Sequence, residues 1–194
     1  MIDRKRVEEI FEKLGVLTKG HFLYTSGMHG EQYLQCARIL EQPKYAEEII
    51  KGLAEEFKDD NIDLVVGPAI GGITISYEFG RQLGTPSIFA EREDDKMTLR
   101  RGFSIPKGAR VLVVEDVVTT GGSVKEVIKL VKEAGGILAG VAILVDRTGG
   151  EIDFGTKLVT AYSEKFKAYA PEDCPICKEG NIPLEKPGSR KIKK

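Results

Sequence analysis

Residues 111–123 read Val-Leu-Val-Val-Glu-Asp-Val-Val-Thr-Thr-Gly-Gly-Ser. The run Val111 to Val114 has no polar alternation, which suits a strand buried in a sheet interior. Glu115 and Asp116 then emerge at the strand's carboxyl end, where open α/β sheets bind ligands. Thr119, Thr120, Gly121, Gly122 and Ser123 form a hydroxyl- and glycine-rich turn that opens a helix, and its backbone N–H groups and dipole favour an anion. The implied ligand carries a phosphate for the turn and a polyol for the acid pair. The competing reading is an ordinary strand, turn and helix with Ser and Thr as caps. A cap, however, needs one hydroxyl and no neighbouring carboxylates.

Strands and helices alternate on either side of this segment. Ile62 to Val66 reads as a strand, Gly67-Pro68-Ala69-Ile70-Gly71-Gly72 as a turn, and Ile73 to Leu83 as a helix with Ile73, Tyr77 and Gly80 on a common side. Ser87 to Ala90 is a short strand, followed by the polar stretch Glu91 to Gly102, long enough to suggest a lid; a solvated β-hairpin competes with that reading. Val124, Val127, Ile128, Val131 and Ala134 line the helix after the motif, Gly135-Gly136 ends it, and Val141 to Val145 is a further strand. Upstream, Asp3 caps a helix carrying Val7, Ile10, Phe11 and Leu14, and Pro43 starts another carrying Tyr45, Ile49, Leu53 and Phe57. Between them, His21 to Gly27 and Tyr33 to Cys36 read as a hairpin or hood turning at Ser26-Gly27. The alternation predicts an α/β fold: a parallel sheet with helices on both faces.

The 194 residues fit one domain, and 29 basic against 30 acidic residues give a net charge of −1, so neither a nucleic-acid nor a membrane surface is expected. The charged N-terminus lacks a signal-peptide core and no run reaches transmembrane length, so a cytoplasmic protein is expected. Three cysteines suit a reducing compartment. The division expected is a single domain over 1–170, its hood mainly from 18–40, then a C-terminal segment over 171–194. The stretch Lys186 to Lys194 reads as a solvated basic tail.

The segment at 111–123 resembles the phosphoribosyl pyrophosphate (PRPP) motif of type I phosphoribosyltransferases, and the chain over roughly residues 5–150 is most similar to the orotate phosphoribosyltransferases. The resemblance implies an Mg2+-dependent, cytoplasmic, homodimeric enzyme. Glu115 and Asp116 would hold the ribose hydroxyls and support the metal, and Thr119 to Ser123 would hold the 5′-phosphate. Ala69, Ile70, Gly71 and Gly72 would form the pyrophosphate loop, which in some members contains a cis peptide, here at Ala69–Ile70. Lys96 and Arg92 would lie on a mobile catalytic loop, 91–102, reaching the neighbouring subunit's site. Orotate would meet Arg147, Thr119, Tyr33 and Ser26. At Arg147 the alternative is a structural ion pair with Asp146. The chain departs from the family's frequent basic or histidine positions at Thr25, Met28, Gly71, Glu93 and Thr98. Alternatives of the same or another class are a different pyrimidine or purine phosphoribosyltransferase and a non-catalytic PRPP-sensing regulator.

Cys174-Pro175-Ile176-Cys177 offers two thiols where a structural zinc site needs about four ligands. Two unpaired thiols are the expectation, with a four-thiolate site shared by two chains as the alternative. His21 and His29 are expected as hood packing or surface residues, not as ligands.

Overall fold

The computed structural model describes residues 2–187. Asp3 caps α1 (Arg4–Leu14), accepting from Lys5 N at 3.3 Å, and Val7, Ile10 and Phe11 form the buried face. β1 (Leu17–Leu23) and β2 (His29–Leu34) pair antiparallel as the hood hairpin, turning through Gly27 at φ 82°. A single turn, α2 (Ala37–Leu40), leads to α3 (Pro43–Ala54), which starts at proline because the first helical position needs no amide. The main sheet and its crossovers then follow: β3 (Leu64–Pro68), α4 (Gly71–Leu83), β4 (Ser87–Glu93), β5 (Lys96–Leu99), β6 (Arg110–Val118), α5 (Gly122–Glu133), β7 (Ile137–Asp146) and β8 (Leu158–Ser163).

The strands lie in the order β5-β4-β3-β6-β7-β8, all pairs parallel except β4 with β5. Successive residues of the central strands feed opposite faces. Leu112 and Val114 join a core with Ile75 and Phe79 of α4 and Ile49 and Leu53 of α3, whereas Val111 and Val113 pack with Val124, Val127 and Val131 of α5. Helices on both faces therefore explain why the valine run carries no polar alternation.

Four expectations change. β6 does not end at Val114 but runs through the acid pair to Val118, because β7 continues to pair with it, Glu115 opposite Ile143 and Val118 opposite Asp146. β8 adds an edge strand that the sequence reading did not include. In α4 the buried side is Gly72, Ile75, Ser76, Phe79 and Gly80, while Tyr77 is 67% exposed. Residues 91–102 form the solvated hairpin of β4 and β5, turning at Asp94 and Asp95 with φ 49° and 62°.

The C-terminal segment folds back onto the hood. After α6 (Pro175–Glu179), β9 (Leu184–Glu185) pairs parallel with β1 and completes a three-stranded sheet of order β2-β1-β9. The expected basic tail lies outside the described residues beyond Pro187.

Candidate active site

The chain leaves β3 to one side, for β4, and leaves β6 to the other, for β7. This reversal opens a crevice between β3 and β6 at their carboxyl ends, the place where such sheets take ligands. β3 pairs with β6 only as far as Val66 opposite Val113, so Glu115 and Asp116 lie beyond the last of those pairs. Across the crevice, the turn after β3 closes on them. A β-carbon at Gly71 would stand 2.2 Å from Asp116 Oδ2, so glycine is what lets the start of α4 reach the carboxylate. The Ala69–Ile70 peptide is cis, as the resemblance implied, and Ala69 N donates to Ala90 O at 2.7 Å.

Asp116 Oδ1 accepts from Val117 N at 2.7 Å, and Glu115 Oε1 accepts from Asp116 N at 3.0 Å. Beneath them Cys36 is buried with Sγ 3.9 Å from Asp116 O; burial first, then the charges of Asp116 and Glu115, push its thiol pKa up. Past β6, Gly121 caps α5 at φ 74° with no side-chain cap bond. A β-carbon there would meet Ile152 Cδ1 at 2.4 Å, so the turn needs glycine for space as well as conformation. The hydroxyls of Thr119, Thr120 and Ser123 are thus not spent on capping the helix, which removes the ordinary-cap reading.

Asp146 and Arg147 follow β7, and Arg147 N donates to Val118 O at 2.9 Å, which sets this corner beside the end of β6. The structure excludes the Asp146–Arg147 ion pair. Asp146 is fully buried and accepts instead from Thr148 N at 2.8 Å, Thr148 Oγ1 at 2.7 Å, Gly150 N at 2.7 Å and Ser163 Oγ at 2.7 Å. Burial alone would raise its pKa, but these donors outweigh it and hold the carboxyl below its usual range.

Arg147 lies between two rings, its Cζ 4.9 Å from the Tyr24 centroid and 4.6 Å from that of Phe166. Burial pushes its pKa down, against the pull of the Tyr24 and Tyr33 phenols, yet a guanidinium stays charged. Its Nε is buried with no hydrogen-bond partner, and among the described residues no carboxylate forms an ion pair with it. The arrangement is a half-buried guanidinium stacked on two rings, with its Nε donor unspent. Tyr24 and Phe166 were missed as site residues; Tyr24 sits directly before the hood turn, whereas Phe166 is reached only through the fold. Tyr24 Oη donates to Gln32 O at 2.6 Å, which anchors the ring across the hairpin.

Other expected residues are placed less directly. Tyr33 packs on Phe22, with ring centroids 5.6 Å apart, and Ser26 Oγ accepts from Met28 N at 3.4 Å inside the exposed hood turn. Arg92 is drawn to α5, its Nη2 2.5 Å from Glu126 Oε2, and Lys96 is exposed on the hairpin without an ion pair among the described residues.

The chain matches the phosphoribosyl transferase domain family over residues 35–160. It is 58% identical over 191 residues to the orotate phosphoribosyltransferase of Caldanaerobacter subterraneus subsp. tengcongensis, covering 98% of this chain and 100% of that one. The orotate phosphoribosyltransferase of Thermotoga maritima is 50% identical over 187 residues, covering 96% and 100%. The crystal structure of orotate phosphoribosyltransferase from Aeropyrum pernix superimposes with a TM-score of 0.69 at 25% identity, covering 81% of this chain and 93% of that one.

Proposed function

The chain belongs to the phosphoribosyltransferase family, and from that premise we propose that it transfers the 5-phosphoribosyl group of PRPP to orotate, giving orotidine 5′-monophosphate and pyrophosphate. The ribose C1–O bond to pyrophosphate breaks as the bond from the base nitrogen forms, so positive charge grows on the ribose ring. Catalysis then requires alignment, neutralisation of the leaving group and negative charge beneath the ring. Thr119 to Ser123 anchor the 5′-phosphate, which turns remote binding energy into position. Glu115 and Asp116 hold the ribose hydroxyls and oppose the developing cation. The amides of Ala69 to Gly72, together with Arg92 and Lys96, receive the pyrophosphate.

Two adjacent carboxylates offer hard oxygen donors, and the Asp116 carboxylate lies against the bare face of Gly71. Such a donor set fits Mg2+ held jointly with PRPP. When bound, that ion supplies charge neutralisation to the leaving group.

The single observation behind the base assignment is Arg147, a stacked guanidinium with an orphaned Nε beside the end of β6. A carboxylated, planar pyrimidine satisfies it; uracil, hypoxanthine and adenine have no carboxylate to offer. Tyr33 and the hood turn at Ser26 flank the base. We further propose a cytoplasmic homodimer, in which a second copy covers Ile70 and Tyr77, exposed by 85% and 67% beside the pyrophosphate turn. An absorbance assay with PRPP, Mg2+ and each of orotate, uracil, hypoxanthine and adenine tests the reading. Turnover of orotate alone is expected. Turnover of another base in preference would overturn the assignment, and PRPP binding with no turnover would make the chain a sensor.

A further inference from the structure

The two histidines and the CxxC pair, expected to be unconnected, meet in one chain. His21 lies on β1 and His29 on β2, and the hairpin brings His21 Nε2 to 3.1 Å from His29 Nδ1. The turn into α6 carries Cys174 Sγ to 3.5 Å and Cys177 Sγ to 3.4 Å from the same His21 nitrogen, and Cys177 Sγ to 3.2 Å from His29 Nδ1. All four atoms lie within 4.8 Å of one another, three of the residues buried and Cys177 exposed.

Hydrogen bonding does not account for this cluster. His21 Nδ1 lies 3.2 Å from Ile182 O, and a carbonyl has no proton to give, so Nδ1 carries the ring proton and Nε2 presents a lone pair. One lone pair then faces three neighbours at 3.1, 3.4 and 3.5 Å, more than it can accept from. A backbone carbonyl on the far ring nitrogen is also the usual outer partner of a metal-bound histidine. Zn–N bonds of about 2.0 Å and Zn–S bonds of about 2.3 Å at tetrahedral angles require N···N of about 3.3 Å and N···S of about 3.5 Å. The observed N···N of 3.1 Å and N···S of 3.2, 3.4 and 3.5 Å fall within a few tenths of an ångström of those values.

A second observation concerns what holds the C-terminal segment. Over the described residues from 171 onward, Cys174 alone is buried, and β9 contributes only two paired residues, Leu184 and Glu185. So little burial gives the segment few packing contacts of its own, which a metal clamp would supplement.

We propose that His21 Nε2, His29 Nδ1 and the thiolates of Cys174 and Cys177 bind one structural Zn2+ within each chain, clamping the C-terminal segment to the hood. Two thiolates neutralise the dication, which suits burial, and a closed set of two nitrogens and two sulfurs selects zinc for structure and leaves no open position for catalysis. The site replaces both the unpaired-thiol expectation and the site shared by two chains. It stands apart from the orotate reading, since its ligands and its readout are independent of turnover.

Metal analysis of the full-length protein, purified under reducing conditions without chelator and desalted, tests the assignment. About one zinc per chain is expected, and Cys177→Ser, at an exposed position that leaves no cavity, is expected to weaken zinc binding at least about tenfold. Replacement by Co2+ should give intense tetrahedral ligand-field bands with thiolate charge-transfer absorption, and stripping the metal should open residues 171–185 to limited proteolysis. Protein without zinc that takes none up under reducing conditions, a ratio of one zinc to two chains, a Cys174–Cys177 disulfide under the same conditions, or a cobalt spectrum lacking the thiolate band would each overturn the proposal.

Discussion

Arg147→Ala should separate the base side of the site from the PRPP side. In the free protein the guanidinium has two ring contacts, at 4.9 and 4.6 Å, and no carboxylate partner, so its removal strands no buried charge. Each cation–π contact contributes about 0.5–1 kcal/mol, and burial of the cation offsets part of that. The stability change should therefore stay near 1–2 kcal/mol, with the fold retained. The loaded site differs, because there the fork meets a carboxylate. Truncating one partner of a buried, hydrogen-bonded charge pair costs about 2–5 kcal/mol, and half-burial of Arg147 argues for the lower part, about 2–4 kcal/mol. The expected loss in kcat/KM for orotate is then roughly 30- to 1000-fold, at about tenfold per 1.4 kcal/mol. Arg147→Lys keeps a charge but loses the fork and the stacking, so about a tenfold loss is expected. The assay follows orotate absorbance at saturating PRPP and measures PRPP binding by calorimetry in parallel. PRPP affinity should move less than about threefold, since its proposed ligands lie on β6 and the turns at 69–72 and 119–123. Equal losses on both sides, or unchanged orotate kinetics, would refute the carboxylate assignment.

Asp116→Asn should cut kcat by about 10²–10³-fold with the fold intact, because the amide oxygen can still accept from Val117 N at 2.7 Å while the charge beneath the ribose is lost; near-normal turnover would sink the ribose role. Asp146→Asn should cost about 2–3 kcal/mol in chemical denaturation at neutral pH, because one of its two oxygens, each accepting two of the four hydrogen bonds, becomes a donor. The native pKa of Asp146 lies below its unfolded value, so its contribution is complete above the ordinary carboxylate range and disappears as the pH falls through the native value. The gap between wild type and variant should accordingly narrow in acid, and a gap that widens there would contradict the assignment. Glu126→Gln should release Arg92 and improve PRPP kinetics by up to about fivefold, the ceiling set by an exposed ion pair of about 1 kcal/mol; a loss of activity would mean that Glu126 positions Arg92 productively.

What the sequence makes legible is whatever local chemistry decides. The Asp3 cap, the Pro43 start and the valine run of β6 each depend on neighbours in the chain, and the structure keeps them. The end of β6 depends instead on β7, whose backbone goes on pairing past two acids, so side-chain polarity is a poor guide to where that strand stops. In α4 two stripes compete, Ile73 with Tyr77 and Ile75 with Phe79, and only the sheet beneath decides that the second is buried. The acid pair and the turn at 119–123 are readable as one motif because they are contiguous. Arg147 was readable as a charged residue after a strand, but not the Tyr24 and Phe166 rings that desolvate it. His21 and Cys174 lie 153 positions apart, and nothing short of the fold joins them.

The ion pairs of the β4–β5 hairpin bear on the proposed pyrophosphate role of Arg92 and Lys96. Glu93 holds Arg100 at 3.3 Å, while Glu91 holds Arg101 at 3.0 Å and Glu126 holds Arg92 at 2.5 Å. Arg92, Arg100 and Arg101 are therefore each matched with an acid. The acids do not abolish the cationic function, because exposed pairs are worth only about 0–1 kcal/mol apiece. A pyrophosphate concentrates several charges that three arginines and Lys96 can share, whereas each carboxylate offers one. On the proposed pyrophosphate role, exchange of partners is favourable when PRPP binds. The acids also keep Arg92, Arg100 and Arg101 from repelling one another.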